Sequence, residues 1–339
     1  MPLHSPTVRR LLLVGLLFLC LASTRPAAAQ ISTADPPCNG WTLHTRTDLA
    51  ICPEVVIEGF PAQGLAAIGA ITFDTEGVLY VSRPASGDVL RLRPDPQRRA
   101  QFLPPETVAA GLVVPQGLAC ADTICYVATG TQVIRLSDQQ ALLSDLSPYA
   151  AHPLHLDATG RLWVGDDHRL RTVATDGSNP HSTITTDNPV ADFGWTAQGT
   201  LWASDGDSEL HRITPGTGSP AVIALPPDSS PTGVAFYPDQ TDLAFPQWAA
   251  GLLVVTSGSW NTPLLTGYEL WRVPFAADQP QSAQTIIPAN YPDSDAVASV
   301  QLTSFFPDHP VALAVSPEGW VYIAVREGRI VRLRPRVTA

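Results

Sequence analysis

Short segments in which apolar and polar residues alternate recur along most of the chain. Each copy has an apolar run, a polar turn, a second run such as Leu-Tyr-Val or Leu-Trp-Val, another small turn and an apolar-x-Arg-apolar segment. The copies lie at residues 69–92, 115–136, 153–173, 189–213, 231–273 and 310–333. Alternation with a period of two and glycine-containing turns predict antiparallel β-strands, and no segment after residue 29 shows a sustained 3.6-residue apolar period.

Six copies of this length predict an all-β fold, a six-bladed β-propeller with one blade per copy. The last copy ends at its third strand, and the β-rich segment Glu54 to Glu58 (EVVIE) precedes the first copy. We expect this N-terminal strand to complete the last blade, because the pairing closes the ring and removes an exposed strand edge. The predicted organisation is a signal peptide at 1–29, an N-terminal segment at 30–53 and the propeller at 54–339.

The first 29 residues have the features of a secretory signal peptide. Arg9 and Arg10 precede the apolar run Leu11 to Ala22, and Ala27-Ala28-Ala29 forms a small-residue cleavage site before Gln30. The apolar run is too short to span a bilayer, and no later stretch is long and apolar enough to do so. We therefore expect a secreted protein, periplasmic or extracellular, without membrane insertion.

Four cysteines remain after the signal peptide, an even number in an oxidising compartment. Cys120 and Cys125 flank the loop Ala-Asp-Thr-Ile between two apolar β-rich runs, which makes them cross-strand neighbours. We predict two disulfides, Cys38–Cys52 and Cys120–Cys125, the first lying within the N-terminal segment.

The charge of the chain limits its partners. The formal net charge is −11, and it becomes −14 without residues 1–29, which carry three arginines and no acid. Nucleic acid and anionic membranes are poor partners for such a surface. The chain contains no lysine, so Schiff-base chemistry is excluded and every permanent side-chain cation is a guanidinium.

Propeller geometry predicts which residues share a face. In each blade, the start of the innermost strand and the turn between the second and third strands lie at the same rim of the ring. The residues before the innermost strands are Gln116, His152, Asp187, Asn188, Asp228 and His309. The second turns contain Arg83 to Asp88, Asp166 to His168, Asp205 to Asp207, Ser257 to Asn261 and Arg326 to Gly328. We expect a functional site on this varied face, around the central channel.

Two histidines in the segment AAHPLHL could serve proton transfer at the start of the third blade. A neutral imidazole at His152 could take a proton from a bound hydroxyl group, and His152 is the candidate catalytic base. The structural alternative is that His155 only lines the channel and His152 caps a loop.

The acidic turns and one tryptophan have competing interpretations. Asp166-Asp167-His168 and Asp205-Gly206-Asp207 resemble calcium loops in composition, although aspartate also favours turns for backbone reasons. Most tryptophans are expected in the core between blades. Trp260 differs because it lies in a turn of the varied face, where an aromatic ring can stack on a sugar or a planar cofactor.

Several segments resemble one family, the pyrroloquinoline-quinone (PQQ)-dependent glucose/sorbosone dehydrogenases, which are secreted six-bladed propellers. The resembling segments are GFPAQGLAAIGAITFDTEGVLYVS (59–82), GLVVPQGLACADTICYVA (111–128), PTGVAFY through TGYELWRVPF (231–275) and HPVALAVSPEGWVYIAVREGRIVRL (309–333). The resemblance implies an enzyme that binds PQQ and Ca²⁺ on the varied face. It further implies oxidation of an aldose or related sugar, with a histidine taking the hydroxyl proton while hydride passes to the quinone.

The resemblance also suggests which residues hold the cofactor. Its three carboxylates need cationic partners, for which Arg83, Arg326 and His309 are candidates, while Trp260 would stack on the ring. Gln116, Asn188 and Asn261 are further candidate cofactor-binding residues on the same face. The chain departs from the family pattern at three places. The family's Gly-Leu-Arg-Asn-Pro is replaced by TDNP, its His-Gly-Ser-Trp-Asn-Arg by SGSWNT and its Arg-Pro-Val by HPV.

These departures keep two other functions open. A non-catalytic secreted propeller that binds a glycan or a protein partner would need no cofactor cations. A metal-dependent lactonase-type propeller would use Asn188 and the turn aspartates around a central ion.

Overall fold

The computed structural model describes residues 50–62, 64–178, 183–213, 221–240, 242–258, 266–288 and 305–336. These residues form six antiparallel sheets, arranged as a six-bladed β-propeller. The predicted fold class is thus confirmed. Within the described ranges the one helical element is a 3₁₀ turn at Pro246–Trp248, and no helix is long and apolar enough to cross a membrane.

The first strand of the chain, β1 (Ile51–Ile57), belongs to the last blade. The strands of blade one are β2 (Ile71–Phe73), β3 (Leu79–Arg83), β4 (Asp88–Leu92) and β5 (Glu106–Ala110). Those of blade two are β6 (Leu118–Ala121), β7 (Ile124–Ala128), β8 (Val133–Arg135) and β9 (Ala141–Leu143). Those of blade three are β10 (Leu154–Leu156), β11 (Arg161–Gly165), β12 (Arg169–Ala174) and β13 (Thr183–Thr185).

The remaining blades follow the same meander. Blade four contains β14 (Asp192–Trp195), β15 (Leu201–Ser204), β16 (Glu209–Ile213) and β17 (Val222–Ala224). Blade five contains β18 (Pro231–Phe236), β19 (Gly251–Thr256), β20 (Glu269–Ala276), β21 (Gln279–Pro280) and β22 (Gln284–Ile287). Blade six contains β23 (Pro310–Val315), β24 (Val321–Val325) and β25 (Arg329–Pro335).

The N-terminal strand closes the ring as predicted. Strand β1 pairs antiparallel with β25 as the outermost strand of blade six, with Cys52 opposite Arg334 and Glu54 opposite Arg332. Both arginines are buried and bind the Glu54 carboxylate; Nη2 of Arg334 is 2.6 Å from Oε1. Chain ends that are distant in sequence therefore share one sheet and one ion-pair cluster.

The core lies between the blades and is largest where blades five and six meet. Tyr237 is fully buried there, donates its hydroxyl hydrogen to the Gly319 carbonyl at 2.8 Å and accepts from the Phe245 backbone N–H at 2.9 Å. Of the described tryptophans, Trp202, Trp248 and Trp320 are buried and three are half-buried: Trp163, Trp195 and Trp271.

The predicted Cys120–Cys125 disulfide is present and joins directly opposite residues of β6 and β7. Cys52 is also disulfide-bonded. Its predicted partner, Cys38, lies outside the described residues, as does the predicted signal peptide.

Candidate functional site at the channel mouth

The six innermost strands begin at one rim of the ring and enclose a cavity of about 230 Å³. All six blades contribute to its wall, through residues 69–71, 116–118, 151–155, 191–192, 232 and 311–313. Most of these residues are small or apolar, which leaves Gln116, His152, His155, Asp192 and Thr232 as the polar side chains of the cavity. Two of the predicted site residues, Gln116 and His152, are therefore brought together at the channel mouth.

Close backbone approach shapes this wall between blades two and three. A Cβ atom on Gly117 would lie 2.2 Å from the His152 carbonyl oxygen and 2.5 Å from the Leu154 nitrogen. These are backbone atoms, so no side-chain rotation could relieve the overlap. Glycine at 117 allows the loop that carries His152 to lie against the innermost strand of blade two.

His152 is held in one orientation by two hydrogen bonds. Its backbone N–H donates to Oε1 of Gln116 at 2.7 Å, and its ring Nδ1 lies 3.0 Å from the Gly165 carbonyl oxygen. Because a carbonyl oxygen only accepts, Nδ1 carries the hydrogen and Nε2 of the neutral ring keeps a lone pair. Nε2 is buried and has no hydrogen-bond partner among the described residues. His152 thus lines the cavity and holds a buried, unsatisfied acceptor in its ring.

His155 belongs to a separate polar chain across three blades. Its Nε2 is 2.7 Å from Oδ1 of Asp192, and the other carboxylate oxygen of Asp192 accepts the Val234 backbone N–H at 2.6 Å. The His155 ring packs edge-on against Phe193, with ring centres 4.8 Å apart. Asp192 therefore connects blades three, four and five just inside the channel.

The predicted cofactor cation Arg83 is paired within its own hairpin. Its guanidinium binds the Asp88 carboxylate through two nitrogens, with Nε 2.7 Å from Oδ1, and it lies over the Phe60 ring at 5.2 Å. Both ionic side chains are largely buried. The charge of Arg83 is therefore already neutralised by a neighbour.

His309 and Arg326 lie together at the rim of blade six. His309 binds the Glu327 carboxylate through its backbone N–H at 2.8 Å and through ring Nδ1 at 2.6 Å. Its Nε2 is 3.5 Å from the Tyr268 hydroxyl group. The Arg326 backbone N–H donates to the His309 carbonyl at 2.8 Å, while its side chain is exposed and has no ionic partner among the described residues.

The other predicted residues are not gathered at the cavity. Asn188 is exposed and its amide nitrogen lies 3.4 Å from Nε2 of His211, on blade four. Trp260 and Asn261 lie outside the described residues. The Asp166 turn is a structural ion pair, since Asp166 is fully buried, accepts the Ser147 backbone N–H and binds Arg169 at 2.8 Å.

The described residues do not fit a quinone with three carboxylates. No guanidinium lines the described part of the cavity wall, and the wall contains a carboxylate, that of Asp192. In the described turns of this rim, Arg83, Arg169 and Arg329 each pair with an aspartate, which leaves Arg326 as the one unpaired cation. A buried carboxylate without a cationic partner costs several kcal/mol, so the mouth as described favours a ligand without anionic groups.

The chain is similar to several solved propellers. The match to a structure of a Trichoderma reesei Carbohydrate-Active Enzymes Family AA12 protein spans 89% of this chain and 100% of that protein's chain, at 15% identity and a TM-score of 0.63. The match to the holo form of the pyranose dehydrogenase PQQ domain from Coprinopsis cinerea spans 88% of this chain and 98% of that domain, at 12% identity and a TM-score of 0.60. The match to the PQQ-bound form of an aldose sugar dehydrogenase from Streptomyces coelicolor spans 84% of this chain and 98% of that chain, at 14% identity and a TM-score of 0.55. At these identities the similarity shows the propeller fold.

Sequence comparison adds one short match. Residues 308–333, which include β23 and β24, match a family model described as strictosidine synthase-like, N-terminal. No curated protein matches the chain. The match spans one blade of six and does not assign the chain to a family.

Proposed function

We propose that this protein binds a small neutral hydroxylated molecule, of the sugar class, at the channel mouth and that His152 accepts the proton of a ligand hydroxyl group. The observation that carries the proposal is the buried, unsatisfied Nε2 atom of His152, a residue that lines the cavity. A buried acceptor without a partner is rare in folded proteins and indicates a missing donor. A hydroxyl group supplies that donor.

The arrangement suits His152 as a general base. The hydrogen bond from Nδ1 to the Gly165 carbonyl fixes the tautomer, so Nε2 is the basic atom of the neutral ring. When Nε2 takes a proton, the imidazolium keeps the Nδ1 hydrogen bond, and that bond strengthens because its donor is then charged. His152 can therefore accept a proton without rearrangement of its supports.

The polar groups of the cavity support a neutral ligand. Gln116, Thr232 and His155 place polar side chains among small apolar residues, as in sites for small molecules. Asp192 disfavours anions because of its carboxylate. The proposed ligand class also agrees with the sugar dehydrogenases among the similar solved structures.

Oxidation of a bound sugar is the reaction that the resemblance and these similar structures favour. PQQ, if bound, would supply the hydride acceptor of that oxidation. The described residues support His152 as a base and do not fit a tightly held tricarboxylate. The alternative is a non-catalytic sugar- or protein-binding propeller, favoured by the pairing of Arg83 with Asp88. For either function we propose an exported protein.

The test is a calorimetric titration of the protein without residues 1–29 with a panel of neutral monosaccharides, followed by dye-reduction assays with PQQ and Ca²⁺. The key variant is His152→Asn, whose amide nitrogen can replace Nδ1 as donor to Gly165 but has no atom at the Nε2 position. We expect at least one sugar to bind, with affinity about three- to tenfold lower in the variant. If the sugar is oxidised, turnover should fall by about 10²–10⁴-fold.

His168→Asn is the matched control, because His168 is an exposed histidine on the next turn of the same rim. It should bind sugar like the original protein. Sugar binding without dye reduction under any cofactor condition would favour the non-catalytic alternative. Absence of binding to every neutral sugar, or equal binding by His152→Asn, would refute the proposal.

A further inference from the structure

A second group of polar side chains lies in blade four, away from the cavity wall. Asp205 follows β15, and Glu209 and His211 are two residues apart on β16, so their side chains share one face of that strand. One potential ligand atom from each residue lies within 4.8 Å of the others. All three side chains are partly shielded from solvent. The sugar-binding proposal uses none of them.

The distances around the imidazole indicate a shared central atom. Nε2 of His211 is 3.3 Å from Oδ2 of Asp205 and 3.5 Å from Oε2 of Glu209. Both separations exceed the usual N–H···O range of about 2.7–3.2 Å. Two ligands at ~2.0–2.2 Å from a tetrahedral zinc ion would be about 3.4 Å apart. These two separations match the edges of a zinc coordination polyhedron, and the contact between His211 and Asp205 is also within range of a long hydrogen bond.

The cluster contains no arginine. Asp88 and Asp166, in the corresponding turns of blades one and three, each bind an arginine. Neither Asp205 nor Glu209 has an arginine partner among the described residues, although the two carboxylates flank the same imidazole nitrogen. Like charges this close repel each other, and a divalent cation between them would remove the repulsion.

The backbone orients one carboxylate towards the centre. Oδ1 of Asp205 accepts the backbone N–H groups of Asp207, Ser208 and Glu209 at 2.9, 3.2 and 3.2 Å, which leaves Oδ2 facing His211. The Asn188 amide, from the loop before β14, lies 3.4 Å from Nε2 of His211. A half-turn of that amide would present its oxygen to the same centre.

We propose that Asp205, Glu209 and His211 bind a divalent transition-metal ion of the zinc class, with Asn188 or water as a fourth ligand. An imidazole nitrogen together with carboxylate oxygens suits Zn²⁺ better than Ca²⁺, which prefers six to eight oxygen ligands. The three ligands come from β16 and the turn that precedes it, so the ion would fix the end of that hairpin. The site would be structural, and it does not depend on the sugar-binding function.

The test is a calorimetric titration of metal-stripped protein with Zn²⁺ and, separately, with Ca²⁺. We expect one Zn²⁺ ion per chain with micromolar or tighter affinity, a rise in Tm on zinc addition and weaker binding of Ca²⁺. Co²⁺ should replace Zn²⁺ and give the intense visible absorption of a tetrahedral site. His211→Gln should weaken Zn²⁺ binding at least tenfold and remove the Co²⁺ absorption.

His168→Gln is the control, because His168 also lies near a carboxylate, 4.0 Å from Asp167, on the neighbouring turn. It should retain zinc binding. Glu209→Gln provides a second test on a half-exposed side chain, should His211→Gln fail to fold. The proposal is wrong if the original protein binds no Zn²⁺, or if His211→Gln and Glu209→Gln both bind as tightly as it does.

Discussion

Glu54 on the first strand and Arg334 on the last share two hydrogen bonds across a separation of 280 residues. Nε of Arg334 donates to Oε2 of Glu54 at 2.9 Å and Nη2 donates to Oε1 at 2.6 Å. Arg332 binds the same carboxylate, and all three residues are buried. One carboxylate thus neutralises two buried guanidinium groups where the ring closes.

Replacement of this carboxylate should destabilise the whole propeller. Glu54→Gln keeps the side-chain shape but leaves two buried cations without a counter-charge, which should lower the free energy of unfolding by about 3–5 kcal/mol. Chemical denaturation measures the change. Glu106→Gln is the matched control, since Glu106 pairs with Arg91 at the surface, and its loss should destabilise the protein much less. Equal effects of both variants would show that the closure cluster contributes no more than a surface pair.

The same carboxylate predicts how stability depends on pH. Burial acts to raise the pKa of Glu54, but the hydrogen bonds and charges of Arg334 and Arg332 outweigh it, so its pKa lies below the ordinary 4.5. The unfolded chain therefore binds the proton first as the pH falls. The stabilisation is complete above about pH 5 and is lost as the pH falls through the pKa of the folded state. Denaturation midpoints between pH 7 and pH 3 should decline more steeply for the original protein than for Glu54→Gln.

Glycine 117 should be intolerant of even one added carbon. Gly117→Ala would place a methyl group against the backbone of the His152 loop, so we expect a loss of about 1–3 kcal/mol in the free energy of unfolding. Gly194→Ala is the control in blade four, because a Cβ there meets its nearest atom at 3.5 Å, an ordinary contact. Thermal denaturation compares the two. A Gly117→Ala variant as stable as Gly194→Ala would mean that the His152 loop can move away.

Asp192 should be required for the rigidity of the channel mouth. Asp192→Asn keeps an oxygen for the Val234 N–H but removes the charge that faces His155. We expect a loss of about 1–3 kcal/mol, because hydrogen bonds to charged groups are stronger than those to amides. Asp157→Asn, in the turn between β10 and β11, is a comparison outside the channel. Hydrogen exchange of the Val234 amide should accelerate in Asp192→Asn and stay unchanged in Asp157→Asn.

The repeat allowed much of the fold to be predicted from sequence. Six copies fixed the number of blades, and the unassigned EVVIE segment was correctly paired with the incomplete last blade. The short loop between Cys120 and Cys125 was sufficient to predict their disulfide. Each of these inferences used either local sequence or the requirement that a ring has no free edge.

The site was less predictable because its contacts cross between blades. Asp192 is 37 residues from His155 and 42 from Val234, and it was not among the predicted site residues. Its position as the first residue of an innermost strand was the available signal. The pairing of Arg83 with Asp88 was detectable in principle, since both flank one four-residue turn. The family resemblance suggested that Arg83 binds a cofactor carboxylate, whereas in the structure Arg83 pairs with Asp88 of its own hairpin.

Ring closure by β1 also sets an order of events in folding. The first described strand pairs with the last one, so blade six cannot form until almost the entire chain is available. Contacts of such long sequence separation form slowly, and the edge of β25 stays unpaired until β1 pairs with it. A chain shortened at its C-terminus would therefore leave its first strand without a partner, free to pair with other copies of the same protein.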